Sequence, residues 1–190
     1  TNFLVFRYTS FVQQIDDAQH DTTTMAHQFN ATPGSVPDTV PFYGHGRWPA
    51  DPAWGAAYTL LPEWVGVWYD DTRLFASHYA GIKDHVDMLG RFAAANNASG
   101  LLTYGLYSDW CPPQGCEWAG AGSPSQDPSG LNPPPDVKNS EIVSSFYYIL
   151  QLRLLIKHAA LLGRTSDHAK YSAVLAPLPA AFNGRFFNGA

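Results

Sequence analysis

Residues 54–100, WGAAYTLLPEWVGVWYDDTRLFASHYAGIKDHVDMLGRFAAANNASG, predict the architecture of this chain more clearly than any other stretch. A helical run over 54–69 is followed by DDT at 70–72, whose side-chain oxygens can cap a second helical run over Arg73–Ala95. That second run ends at the asparagine pair 96–97, a residue type that often terminates helices. The stretch therefore predicts two helices joined by a short turn, which is a helical hairpin.

Apolar residues also recur at helical spacing on both sides of this hairpin. Residues 1–19 form one such run, and residues 140–162 form another. A last helical run extends from Asp167 toward Phe186, and it contains prolines at 177 and 179. Because proline removes a backbone donor and costs about 3 kcal/mol inside a helix, we expect a break or kink there.

Two long loops separate the helical runs. Residues 21–53 and 100–139 are rich in proline, glycine and serine or threonine, and strand signals are weak throughout. Loops of this length are uncommon as simple connectors in compact domains, and function is the usual reason for them. Helical hairpins whose long loops meet at one end are typical of an α/α toroid, so the sequence predicts an all-α fold with its site among these loops.

Composition limits the classes of function. The 190 residues carry a net charge of −5, and the 11 basic residues form no cluster, so nucleic acid is not an expected partner. No stretch reaches the roughly 18 consecutive apolar residues of a transmembrane helix, and we expect no membrane partner. Aromatic residues make up 14% of the chain, including six Trp and ten Tyr. Such an excess indicates a large core, a site where rings stack on flat ligand faces, or both.

Cys111 and Cys116 enclose four residues, CPPQGC, and could close a small disulfide loop if the geometry allows it. Two thiols without histidines at a recognised spacing do not make a zinc site, so we expect no metal and no organic cofactor. Glycosylation acceptors begin at Asn30 and Asn97. Together with the cysteines they predict a secreted or extracellular protein. The chain starts at Thr1 without a signal peptide, which indicates an internal piece or a processed product.

Four residues are candidate ligands for a sugar: Asp38 in the long first loop, Trp54 at the start of a helical run, and Asp109 and Trp110 in the second loop. A carboxylate can accept hydrogen bonds from two hydroxyl groups, and an indole face can cover the apolar C–H face of a sugar ring. Each residue also has an ordinary structural interpretation. Aspartate is a common turn or cap residue, and tryptophan is most often part of a core.

Several strings around these residues resemble one family in combination. They are VPDTVPF (36–42), DPAWGAAYTLLPEWVGVWYDDTRLFASHY (51–79), GLLTYGLYSDW (100–110) and AAFNGRFF (180–187). Their order and spacing resemble the catalytic domain of α-L-rhamnosidases of glycoside hydrolase family 78, from about residue 8 to the C-terminus. The resemblance implies an (α/α)6 toroid, an inverting acid/base mechanism and a rhamnose-containing carbohydrate or glycoside as substrate. It also implies that Asp38 and Asp109 contact the sugar while Trp54 and Trp110 form walls of its pocket.

The general acid and the general base of that family are both glutamates, and neither has a matching residue here. The resemblance implies that the acid precedes Thr1 and that the base follows Ala190. An inverting hydrolase needs the two groups about 6.5–9.5 Å apart. We therefore expect residues 1–190 to be part of one catalytic domain, truncated at both ends, with the remainder of that domain as its partner and no catalytic residue in the segment itself.

Two other interpretations stay open at this stage. A different six-hairpin glycosidase, such as a glucosidase or trehalase relative, would share the toroid without needing the VPD and SDW strings together. A chain of this length could also be a non-catalytic sugar-binding or scaffold module.

Overall fold

The computed structural model describes residues 2–21, 31–43, 46–96, 99–105 and 140–187, and its regular elements there are all helices. The long helical runs confirm the prediction from the sequence, including the hairpin at its centre. The helices are α1 (Asn2–Gln19), α2 (Pro52–Gly55), α3 (Ala57–Tyr69), α4 (Arg73–Asn96), α5 (Ser140–Leu161), α6 (Thr165–Leu175) and α7 (Leu178–Phe186).

The long helices form two layers. Helices α3 and α5 pack against each other, while α4 lies behind them and contacts α1. Hydrogen bonds from Lys170 and Tyr171 of α6 to Asp87 of α4 extend this second layer. Because consecutive long helices joined by short turns run antiparallel and pack on one another, the turns at 70–72 and 162–164 lie at the same end of the molecule. The loops 31–51 and 99–105 lie at the other end.

Local signals explain where the helices begin and end. The carboxylate of Asp71 accepts the backbone N–H of Arg73 at 3.0 Å and starts α4, as the segment 70–72 predicts. Asp70 ends α3 in the left-handed region at φ 54°. The predicted break near Pro177 is also confirmed, because α6 ends at Leu175 and α7 begins at Leu178.

The core lies between the two layers. Its fully buried side chains come from every long helix except α7 and from the loop at 101–104. Burial of this apolar surface is the main force that holds the layers together. The largest fully buried apolar and aromatic side chains of this core are Tyr58, Phe75, Ile82, Met88, Leu89, Leu101, Leu102, Tyr104, Leu152, Leu155 and Tyr171.

One expectation about packing is wrong. The i, i+4 spacing of Trp64 and Trp68 predicts a packed helix face, but their exposed fractions in this chain are 46% and 76%. The buried stripe of α3 instead contains Tyr58, Leu61 and Val65, and it is rotated around the helix so that the two tryptophans lie at its edge. None of the helices in the described part of the chain is long and apolar enough to cross a membrane.

Candidate functional site

Asp38 lies in the loop 31–51, and its carboxylate organises that loop. One oxygen, Oδ2, accepts the backbone N–H of Arg47 at 2.7 Å, and the other, Oδ1, accepts the backbone N–H of Asp51 at 2.8 Å. The backbone N–H of Asp38 donates to the Arg47 carbonyl at 2.9 Å. Hydrogen bonds to a charged acceptor are the stronger kind, so this side chain fixes the loop across thirteen residues.

Gly46 makes this arrangement sterically feasible. Its φ is +88°, in the region that favours glycine, and a Cβ at this position would lie 3.0 Å from Cβ of Asp38 and 3.4 Å from Oδ2. A side chain at residue 46 would therefore displace the carboxylate that the loop depends on.

Asp51 connects the loop to the short helix that carries Trp54. It is 1% exposed, and its carboxylate accepts the backbone N–H of Ala53 at 2.9 Å as the N-cap of α2. This agrees with a structural role for Asp51. Through Asp51, the position of Asp38 is tied to the orientation of α2 and hence to that of Trp54.

Asp38 and Trp54 line the same small cleft at the loop end of the molecule. The cleft is narrow, with a volume of about 20 Å³, and the indole of Trp54 is 43% exposed. Apart from Asp38 its lining is apolar: Phe11, Ile15, Val36, Pro37, Val40, Trp54, Gly55 and Ala57. One acid beside an exposed indole suits a ligand with both hydroxyl groups and an apolar face.

The start of the second predicted site loop lies against the first. The hydroxyl of Tyr104 donates to the Pro49 carbonyl at 2.5 Å, and the Tyr104 side chain is 1% exposed. The Ser145 hydroxyl donates to the Leu102 carbonyl at 3.2 Å and accepts the Leu102 N–H at 3.0 Å. The described start of the second loop, residues 101–104, therefore lies against the first loop.

Two of the four predicted sugar ligands, Asp109 and Trp110, lie outside the described residues. So do Cys111 and Cys116 and the acceptor asparagines at 30 and 97. The structure brings together the other two, Asp38 and Trp54, and leaves their role as sugar ligands a prediction.

A second acidic group lies away from the cleft, between α3 and α5. Glu63 accepts hydrogen bonds from Nζ of Lys157 and Nε2 of His158, both at 2.6 Å, and the His158 ring stacks on Phe75 at 3.6 Å. Burial alone raises the pKa of Glu63, but the two donors outweigh it and the pKa lies below its ordinary value. Burial lowers the pKa of His158, so at neutral pH this is a carboxylate bonded to an uncharged imidazole.

Sequence reasoning did not identify the residues that hold the cleft in place. Gly46 leaves room for the Asp38 side chain, and Tyr104 bonds the Pro49 carbonyl, and no local pattern in the sequence marks such pairs. Among the described residues, no group of three or more His, Cys, Asp or Glu side chains is arranged to hold a metal ion.

A family model described as the bacterial alpha-L-rhamnosidase 6 hairpin glycosidase domain matches residues 5–190. The chain belongs to this family. This confirms the resemblance carried by the VPD, DPAWG and SDW strings. The rhamnosidase family also accounts for the hairpin architecture.

A solved structure supports the same assignment. The alpha-L-rhamnosidase from Dictyoglumus thermophilum superposes with a TM-score of 0.71 at 27% sequence identity, over 98% of this chain. The chain spans 17% of the length of that protein. No curated protein sequence matches this chain. The shared fold extends over almost all of this chain and confirms an all-α fold that fits part of a six-hairpin glycosidase domain.

Proposed function

We propose that this chain forms part of the sugar-binding end of a glycoside hydrolase that removes terminal α-L-rhamnose from glycosides or polysaccharides. The observation that carries the proposal is the meeting of Asp38 and Trp54 in one cleft, within a chain that belongs to the rhamnosidase family over residues 5–190.

In this proposal, the carboxylate of Asp38 accepts hydrogen bonds from sugar hydroxyl groups. An ionised carboxylate offers about four acceptor positions, so bonding to two backbone N–H groups is compatible with a ligand contact. The N–H groups of Arg47 and Asp51 also fix the direction of both oxygens. Such preorganisation lowers the entropy lost when a ligand binds.

The indole of Trp54 supplies the apolar wall of the proposed site. A 6-deoxy sugar such as rhamnose presents a methyl group and C–H bonds that an aromatic face can cover. The helix α2 is only four residues long, and its N-cap at Asp51 holds the indole on the cleft side. The same short helix therefore positions both the polar and the apolar contact.

Asp109 and Trp110 complete the site in this proposal as a second acid and a second wall. The observation that supports this placement is the hydrogen bond from the Tyr104 hydroxyl to the Pro49 carbonyl, which anchors the segment that precedes Asp109 and Trp110. The general acid and general base of an inverting reaction are glutamates outside residues 1–190, and the residues named here bind and orient the sugar without exchanging protons with it.

The test is release of p-nitrophenol from p-nitrophenyl α-L-rhamnoside by the full-length protein that contains this chain. Rhamnoside cleavage at least a hundredfold faster than cleavage of p-nitrophenyl α-D-glucoside supports the proposal. Preference for the glucoside would identify a different six-hairpin glycosidase. Binding of L-rhamnose without cleavage of either substrate would identify a non-catalytic sugar-binding module.

The anomeric configuration of the first product, followed by proton NMR, tests the mechanism separately. A β-L-rhamnose product from the α-glycoside is expected for inversion, whereas an α product would show retention and contradict the proposed acid/base pair.

A further inference from the structure

Beneath the cleft lies a histidine that the proposed chemistry does not use. His85 of α4 is 1% exposed, and neither of its ring nitrogens has a hydrogen bond of good geometry within the described part of the chain. Buried polar groups are nearly always paired, because an unpaired one loses its hydration without compensation. The Gly34 backbone lies near the ring but in poorer geometry, and a buried imidazole bonded this weakly calls for an explanation.

The ring of His85 lies directly behind the residues that shape the cleft. A Cβ on Gly55, the neighbour of Trp54, would lie 3.1 Å from Cε1 and 3.2 Å from Nε2 of His85. The imidazole thus contacts the backbone of α2 at the one residue of the cleft wall that has no side chain. Any outward movement of the ring would push against the helix that carries Trp54.

The first loop rests on the same part of α4. A Cβ on Gly34 would lie 2.1 Å from the Asp84 carbonyl oxygen and 3.4 Å from the backbone nitrogen of His85, so the loop backbone lies flat against the helix. Gly34 has φ +83°, which favours glycine. Between Gly34 and Asp38 the chain is buried at Ser35 and Val36. One turn of α4 therefore supports both the loop and α2.

We propose that His85 is a positioning residue for the sugar cleft: its uncharged ring, wedged between the loop at Gly34 and α2 at Gly55, holds Asp38 and Trp54 at their common cleft. This inference rests on the proposed function for its ligand, but its structural part stands on the packing alone. It predicts that a charge on His85 opens the cleft, because a buried imidazolium without an anionic partner needs water.

Burial lowers the pKa of His85 to about 4, with a smaller opposing effect from the Gly34 backbone. The direction of the pH effect follows from the difference in proton binding between the open and closed forms. An opened loop exposes the ring and restores a pKa near 6.5, so the open form binds the extra proton and gains population as the pH falls from about 6.5 toward 4. The closed cleft is fully favoured above that range.

Other titratable groups surround this histidine. Tyr58 on α3 approaches its ring edge-on at 6.5 Å and is bonded to Asp16 of α1. Asp51 precedes α2, while His78 and Asp84 lie on α4 itself. A variant of His85 is therefore needed to separate its effect from theirs.

The experiment measures affinity for L-rhamnose by calorimetry at pH 7 and pH 5 in the full-length protein. We expect wild-type affinity to fall between these values, by up to about twentyfold, because the ratio of open to closed forms rises by that factor for pKa values of about 6.5 and 4. His85→Leu should keep affinity at pH 7 within a few-fold and lose most of the pH dependence. The matched control His168→Leu, at an exposed position on α6, should behave as wild type.

An equal loss of affinity at pH 5 in wild type and His85→Leu would overturn the proposal.

Hydrogen exchange on the wild type gives a second test that needs neither a folded variant nor a ligand. Protection factors at residues 34–38 and 53–55 should fall between pH 7 and pH 5, while those at 169–175 stay constant. Unchanged protection would also overturn it. Absence of rhamnose binding at pH 7 would instead count against the proposed function, and exchange would still decide the role of His85.

Discussion

The loop 31–51 and the interfaces between the long helices are held together in different ways. In the loop, a carboxylate binds backbone N–H groups, as Asp38 does with Arg47 and Asp51. Between helices, side chains bind side chains, as Asp87 does with Lys170 and Glu63 does with Lys157. The first kind fixes the path of the chain, and the second mostly adds to packing that already exists.

This difference predicts where substitutions affect function. A change that removes a side-chain bond between helices should lower stability modestly, because the apolar core still holds the helices. A change that removes a bond to the loop backbone should alter the shape of the cleft. Four substitutions test this contrast, from the largest expected effect to the smallest.

Asp38→Asn should have the largest effect. An asparagine can present one oxygen, but its NH₂ group then faces a backbone N–H, so the bond to either Arg47 or Asp51 is lost. A hydrogen bond to a charged group contributes about 1.5–3 kcal/mol, so affinity for L-rhamnose should fall tens-fold or more. Calorimetry on the full-length protein measures this. The control Asp70→Asn lies at a left-handed position that asparagine tolerates, and it should bind normally.

Glu63→Gln should lower stability by about 1–3 kcal/mol at pH 7, because His158 and Lys157 lose a charged acceptor. The pKa of Glu63 lies below its ordinary value in the folded protein, so its contribution is present above about pH 4.5 and is lost as the pH falls further. The difference in Tm from wild type should therefore shrink at acidic pH. A constant difference down to pH 3 would show that charge is not the cause.

Tyr104→Phe removes the donor that links the two loops at Pro49 and leaves the core ring in place. A neutral hydrogen bond of this kind contributes about 1 kcal/mol, so the Tm should fall slightly. Rhamnose affinity should fall a few-fold if the link also positions the second loop. Equal affinity in Tyr104→Phe and wild type would show that this link between the loops does not contribute to rhamnose binding.

Lys170→Met should have the smallest effect. The Lys170 side chain is 52% exposed, and Asp87 also accepts hydrogen bonds from Lys83 and Tyr171. Exposed ion pairs contribute about 0–1 kcal/mol, and salt screens them. We expect a Tm change of a degree or two that disappears in high salt, with rhamnose affinity unchanged. A loss of affinity would show that the helix interfaces also control the cleft.

The helices could be predicted from the sequence because their signals are local. The caps at Asp71 and the prolines at 177 and 179 act on their immediate neighbours, and the structure places the helix ends within a few residues of the prediction. The packed stripe of α3 could not be predicted in the same way. Trp64 and Trp68 share one helix face with correct spacing, but which face is buried depends on the positions of α1, α4 and α5.

The cleft was predicted only in part. Asp38 and Trp54 were recognisable from the motifs around them, but the bonds that orient Asp38 come from backbone atoms nine and thirteen residues away. His85 carries no signal in the sequence, because a histidine on an amphipathic helix looks like any other polar residue. Its significance depends on two glycines: Gly55 leaves room for the ring, and Gly34 lets the loop lie against the backbone of Asp84 and His85.

The most direct test of the central claim, that Asp38 and Trp54 form one sugar-binding cleft, is a comparison of L-rhamnose binding by Trp54→Ala and Trp68→Ala in the full-length protein. Both indoles are exposed in this chain, but only that of Trp54 lines the cleft. We predict that Trp54→Ala loses at least tenfold in affinity with little change in Tm, while Trp68→Ala binds as wild type. Equal affinity in Trp54→Ala and wild type would contradict the claim.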